Sequence, residues 1–123
     1  MLKKRLNSFR YAFSGIATLF RSEPNAKIHL ALTMLVVAGG FFFRLDTKEW
    51  SIIVLAIVAV LSAEAFNTAI EQLTDLVSPD YHPLAGKAKD LSAGAVLLVA
   101  IGAALVGVII FLPKIVEKLG VNS

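Results

Sequence analysis

Cysteine is absent from this chain of 123 residues. Its absence excludes a disulfide scaffold, thiolate metal sites and cysteine nucleophiles, and is neutral about redox compartment. Charge is scarce: 17% of the residues are Asp, Glu, Lys or Arg, against about 25% in an ordinary soluble domain. With 57% hydrophobic residues, the composition also excludes intrinsic disorder, which needs low hydrophobicity and high net charge. The chain is too short for two globular domains. A mean hydropathy of +0.76 makes it too apolar for one domain with a normal water-facing surface. The formal charge of +3 does not require a nucleic acid. In so apolar a chain it fits Lys and Arg held near a cytoplasmic leaflet.

Three long apolar stretches are present. The first, Ile28 to Phe43, reaches the ~20 residues a bilayer helix needs when its flanks are included, predicting a span over 25–45. The second predicts a span over 50–71. The third, Ala93 to Leu112, carries no charge and predicts a span over 91–112. Its Gly94, Gly102 and Gly107 are tolerable in a membrane helix and permit close helix contact. Three buried helices of a soluble protein are the alternative, but so small a chain could not cover them.

Ahead of the spans, Leu2, Leu6, Phe9, Phe13, Ile16 and Phe20 recur at steps of four and three, which places them on one helical face. Lys3, Lys4, Asn7, Arg10, Ser14 and Arg21 populate the other side. The pattern predicts a basic amphipathic helix over 2–21 lying on an anionic membrane surface. The same face could instead pack on protein. No apolar core follows the basic start directly, so a cleaved signal peptide is not expected. The expected fold is therefore an all-α integral membrane protein, a single domain over 1–123, with one surface helix and three membrane helices. Lys3, Lys4, Arg5, Arg10, Arg21, Lys27, Lys87 and Lys89, eight of the twelve basic residues, fall on the side of the N-terminus and second loop. That side is expected to be cytoplasmic, in a bacterial cell membrane.

Polar residues in the second span are the informative feature. Glu64, Asn67, Glu71 and Asp75 fall within about 60° of Glu64 at ~100° per residue, so they form one stripe. Glu64 lies roughly 10 Å deeper than Glu71 at ~1.5 Å rise per residue. A carboxylate at mid-bilayer costs at least ~2.5 kcal/mol and is rarely idle. Polar glue between helices is the bland alternative, yet it does not explain acids continuing down the same face into water. Glu23 stands before Pro24, at the bend between surface helix and first span, where simple capping chemistry would also suit an acid. In the second loop, Pro79 and Pro83 break the helix pattern, and Lys87, Lys89 and Asp90 are expected within that loop, leading into the third span. Carboxylates at Glu23, Glu64, Glu71 and Asp90, with Lys89, thus converge on one membrane face. Hard oxygen ligands without sulfur suit Mg²⁺ held together with substrate phosphates. That chemistry points to phosphoryl transfer from a soluble nucleotide to an acceptor that lives in lipid, with a water-shielded carboxylate as base.

Ala65-Phe66-Asn67-Thr68-Ala69-Ile70-Glu71, Asp75-Leu76, His82-Pro83-Leu84-Ala85 and Ala88-Lys89-Asp90 resemble the signature of the bacterial diacylglycerol kinase family, which includes the undecaprenol kinases. The resemblance covers essentially the whole chain. It implies a homotrimer that uses MgATP to phosphorylate a lipid alcohol at the cytoplasmic interface. Glu64 matches the catalytic base and Asn67 its neighbouring asparagine. Glu23 and Glu71 match the metal-linked glutamates. Lys89 and Asp90 match the nucleotide-contacting pair, while Tyr11, Asp80, Tyr81 and His82 fall where nucleotide contacts are expected. The acceptor implied first is diacylglycerol, giving phosphatidic acid. Undecaprenol, giving undecaprenyl phosphate, is the alternative, because Glu23-Pro24-Asn25-Ala26-Lys27-Ile28-His29 looks more like the undecaprenol kinases and Ala93 replaces a serine usual in the enterobacterial form. A small proton-coupled transporter built around Glu64 is a rival of another class, as is a structural membrane protein without chemistry.

Overall fold

The computed structural model describes residues 1–120. Four helices follow one another: α1 (Leu2–Ser22), α2 (Pro24–Phe42), α3 (Thr47–Val77) and α4 (Pro83–Lys118). No strand occurs among the described residues. The last three helices are long and apolar enough to cross a membrane. The all-helical architecture expected from the sequence is therefore present.

The α1–α2 bend follows from Pro24. A proline disfavours helical geometry at the residue before it and suits the first position of a new helix. Glu23 is accordingly extended (φ −105°, ψ 113°), closing α1 and opening α2 at once. The apolar face of α1 is shared between two environments. Leu19, next to the bend, is buried against the protein, while Phe9 and Phe13 are 65% and 68% exposed. The start of the helix thus leaves its apolar side uncovered by the chain, and its end packs on the spans.

The opposite end of the bundle is closed by a tight turn. The Leu45 amide donates to the Gly40 carbonyl (3.0 Å) and the Arg44 amide to the Phe41 carbonyl (3.3 Å), the pair of bonds of a Schellman motif. Arg44 takes the left-handed conformation (φ 53°) that the motif requires. Asp46 then caps α3 reciprocally with Glu49: the Glu49 amide donates to Asp46 Oδ1 (2.9 Å) and the Asp46 amide to Glu49 Oε2 (3.0 Å). Buried Leu45, Ile53 and Ile110 form the core here, with Val36, Trp50, Ile57, Val106 and Phe111 packed on it. Lys114 pairs with Glu49 at 3.0 Å, and Lys118 sits 4.2 Å above the Phe42 ring, tying the end of α4 to this turn.

The helices outrun the predicted spans. At ~1.5 Å per residue, the 31 residues of α3 reach about 46 Å and the 36 of α4 about 54 Å, against a hydrocarbon core of about 30 Å. Lys87, Lys89 and Asp90 are not in a loop. They lie in the first two turns of α4, which starts at Pro83 with His82 as its N-cap. Pro83 suits the first helical position, and the Leu, Ala and Lys that follow are good helix formers. The connecting segment shrinks to 78–82. At its far end α4 also runs through Pro113 to Lys118, past the predicted limit.

Gly40 lies against Trp50, whose ring atoms would stand 2.5 and 2.8 Å from an added Cβ. Gly40→Ala should lower stability by about 1–3 kcal/mol through overpacking, read as a lower Tm in detergent micelles. Gly40→Ala combined with Trp50→Phe should recover part of the loss, because the two sites touch.

Candidate active site

Two depths organise the polar residues. His29 follows Glu23 by six positions on α2 and Glu64 precedes Glu71 by seven on α3, offsets of about 9 and 10 Å along antiparallel helix axes. Since His29 and Glu64 touch, Glu23 and Glu71 end at a similar level, closer to the helix ends.

At the deeper level the Glu64 side chain is 3% exposed, and its Oε1 lies 3.1 Å from His29 Nε2, on a ring that is itself 21% exposed. His29 is the only hydrogen-bond partner of that carboxylate among the described residues. The remainder of the stripe turns toward α4. Ser92 Oγ donates to Asn67 Oδ1 at 2.7 Å, and Asn67 Nδ2 donates to Glu71 Oε1 at 3.3 Å. Serine hydroxyl, amide and carboxylate form one chain across α3 and α4. Further toward water, Lys89 Nζ donates to Asp75. The acid that engages Lys89 is therefore Asp75, not Asp90, which is exposed.

The bend and the 78–82 segment hold the other candidates. Glu23 is half-buried, and its side chain makes no capping hydrogen bond to α2. The plain capping reading of this acid is thus not what the geometry displays. His82 Nδ1 accepts from the Leu84 amide at 3.1 Å, so the ring caps α4 and carries its proton on Nε2 when neutral. Asp80 and Tyr81 are exposed. Among the described residues no hydrogen bond or ion pair engages the side chains of Tyr11, Glu23, Asp80, Tyr81 or Asp90. Tyr11 lines a cleft of about 710 Å³ between α1 and α3, with Ile16, Leu61, Ala65 and Thr68 also in its wall. Thr68 Oγ1 is buried there without a partner. A buried hydroxyl left so costs about 1–3 kcal/mol.

Sequence reasoning assigned no role to His29, Ser92 or Thr68. A signal existed for the first: an ionisable residue inside a span is a functional candidate by the same rule that singled out Glu64. Ser92 and Thr68 carry no such mark, because small hydroxyl residues are common in membrane helices and glue them together.

No three His, Asp or Glu residues among those described cluster closely enough to cage a metal. Mg²⁺ needs no such cage: one or two carboxylates and substrate phosphates commonly suffice. Glu23 and Glu71, at a similar level and with oxygen donors, fit that mode.

Fold and site together define a small multi-pass membrane protein with a carboxylate site at one end of its spans. The model of the prokaryotic diacylglycerol kinase family matches residues 10–111. An undecaprenol kinase of Bacillus subtilis is 42% identical over 114 residues, covering 93% of each chain. A diacylglycerol kinase of Synechocystis is 38% identical over 91% of this chain, which spans 65% of that longer relative. One of Pseudomonas aeruginosa is 30% identical over 76% of each chain. The chain belongs to the prokaryotic diacylglycerol kinase family and is an ATP-dependent lipid kinase.

Ser92→Ala should lower kcat roughly five- to thirtyfold, the equivalent of about 1–2 kcal/mol, by leaving Asn67 unheld. Ser92→Thr, which keeps the hydroxyl, should retain most of the rate in an ATP-coupled turnover assay.

Proposed function

We propose that Glu64 is the general base for transfer of the γ-phosphoryl group of MgATP to the hydroxyl of a lipid alcohol at the cytoplasmic leaflet. The observation that carries this reading is the pairing of depths. A nearly fully buried carboxylate stands about 10 Å deeper than Glu23 and Glu71, and its neighbours on α3, Leu61, Ala65 and Thr68, line the cleft between α1 and α3. The lipid hydroxyl enters along the α1–α3 cleft and Glu64 accepts its proton. Asn67, held by Ser92, keeps Glu71 in place. Glu23 and Glu71 would hold Mg²⁺, whose charge offsets that of the phosphates when it is bound. Lys89, in the first turns of α4, meets the nucleotide's phosphates, and its contact with Asp75 keeps the ammonium near them. Asp90, Tyr11, Asp80, Tyr81 and His82 frame the nucleotide from α4, α1 and the 78–82 segment. Positioning and electrostatics supply most of the acceleration, as is general for phosphoryl transfer.

The acceptor is a lipid alcohol, with diacylglycerol as the first reading of the signature residues. A second reading, undecaprenol, is favoured by the 42% identity to an undecaprenol kinase over 93% of both chains. The functional unit is a homotrimer. One chain leaves much of the lipid-level surface of its spans uncovered and offers few walls around Glu71 and Asp90, which neighbouring copies would complete.

Radiolabelled ATP with purified protein, offered diacylglycerol and undecaprenol in parallel mixed micelles, tests the activity and its acceptor. Glu64→Gln should lower turnover by about 10²–10⁴-fold, the usual range for a lost general base, while nucleotide binding by the folded protein persists. Normal turnover by that variant would remove Glu64 from the base role. Orientation is separately testable, because the chain has no cysteine. A membrane-impermeant maleimide should label Lys48→Cys on intact cells, and Lys87→Cys only after permeabilisation. The reverse pattern would invert the topology.

A further inference from the structure

We infer that His29 is a positioning residue of the phosphoryl-transfer site, acting through Glu64. The inference rests on Glu64 being the base. During transfer the alcohol O–H bond breaks and its proton passes to a Glu64 oxygen. The alcohol oxygen bonds to the γ-phosphorus as the bond from that phosphorus to the ADP oxygen breaks. For this, one carboxylate oxygen must face the alcohol and the carboxyl plane must not rotate away from it.

A lone carboxylate at the end of a flexible side chain does not hold such an orientation by itself. On α3 the neighbours of Glu64 are Ala63 and Ala65 along the chain, with Val60 and Thr68 one turn either way. None of them donates a hydrogen bond to it. The fixing contact comes from the adjacent helix, where His29 Nε2 reaches Oε1 at 3.1 Å. An ionised carboxylate is acceptor-only, so the imidazole is the donor in this pair. With Oε1 occupied, Oε2 is the oxygen left to take the proton.

His29 is itself well placed to hold still. The backbone carbonyl of His29 accepts from Thr33 Oγ1 at 2.7 Å. Its helix is fixed six residues earlier, at the Pro24 bend. The ring also lines a second, apolar cleft of about 340 Å³ between α2, α3 and α4, whose walls include Val60, Ala100, Ala103 and Gly107. The imidazole therefore stands between that apolar space and the carboxylate, offering its one visible polar contact to Glu64.

The test is a set of variants assayed in mixed micelles with saturating MgATP. His29→Leu should lower kcat by about 10- to 100-fold, the loss expected of a misplaced catalytic group, with KM for ATP and for the lipid changed less than twofold. His29→Gln, which keeps an N–H donor, should recover at least part of the loss. In a Glu64→Gln background, His29→Leu should remove nothing further from the residual rate. His29→Asn, polar but too short to reach, replaces the leucine variant if that one does not fold, with the same expectation. An unchanged kcat in His29→Leu overturns the inference. So does an equal loss from His29→Leu with and without Glu64, or a loss that glutamine does not relieve and that tracks a lower Tm. A Glu64→Gln enzyme with normal turnover overturns the base reading instead, and is distinguishable because it is measured before His29 is touched.

Discussion

The whole arrangement depends on keeping one carboxylate at a depth where water does not reach it. An acidic side chain in the hydrocarbon region costs at least about 2.5 kcal/mol, and the cost grows if the group is left without a donor. Glu64 is nearly fully buried and has His29 as its partner. That contact exists only because α2 begins where Pro24 makes it begin. A start displaced by one residue would turn His29 by about 100° around the α2 axis and leave Glu64 unmatched. A proline at the α1–α2 bend thus sets which partner a carboxylate meets about 9 Å further along α2.

The long helices solve a problem of phase. A lipid hydroxyl and a nucleotide triphosphate have no common solvent. A helix cut to the thickness of the bilayer would end where only one of them can go. α3 and α4 exceed the hydrocarbon core by about 16 and 24 Å, and the polar groups are graded along that excess. Glu64 lies deepest, Asn67, Glu71 and Ser92 follow, and Lys89 with Asp75 come last. Exposure rises in the same order, from 3% for the Glu64 side chain to 40% and 63% for Lys89 and Asp75. The outermost pair, being screened, contributes little to stability.

Much of this was legible in the sequence, and the legible parts share a cause. Periodicity in the surface helix, the apolar runs and the acidic stripe are properties of single helices, so spacing along the chain reveals them. Of the two readings of the α1 face, packing on protein holds at its end, where Leu19 is buried. What escaped notice lies between helices. The His29–Glu64 contact joins residues 35 apart and the Ser92–Asn67 contact joins residues 25 apart. No period encodes such partners. The misplacement of Lys87, Lys89 and Asp90 has a different origin. Two prolines four residues apart look alike as breakers in the sequence, whereas Pro79 falls in the connection and Pro83 starts the helix. Position within the element, not identity, decides what a proline does.

The two ends of the molecule divide the work between stability and chemistry. The far end gathers a Schellman turn, a reciprocal cap, an aromatic packed on a glycine, an ion pair and a cation above a ring. Each is modest, but together they fix the register of α2, α3 and α4. The site end holds ion pairs of its own, Lys89–Asp75 and His29–Glu64, yet leaves Thr68 without a partner and Glu23 uncapped. Unsatisfied polar groups would be a defect if the helices relied on that end for their alignment. Because alignment is secured some 30 Å away, across the hydrocarbon core, the site end can keep open donors and acceptors for a substrate to complete. Extra helix–helix contacts at the site end would therefore stabilise the fold by pairing groups that are now left open.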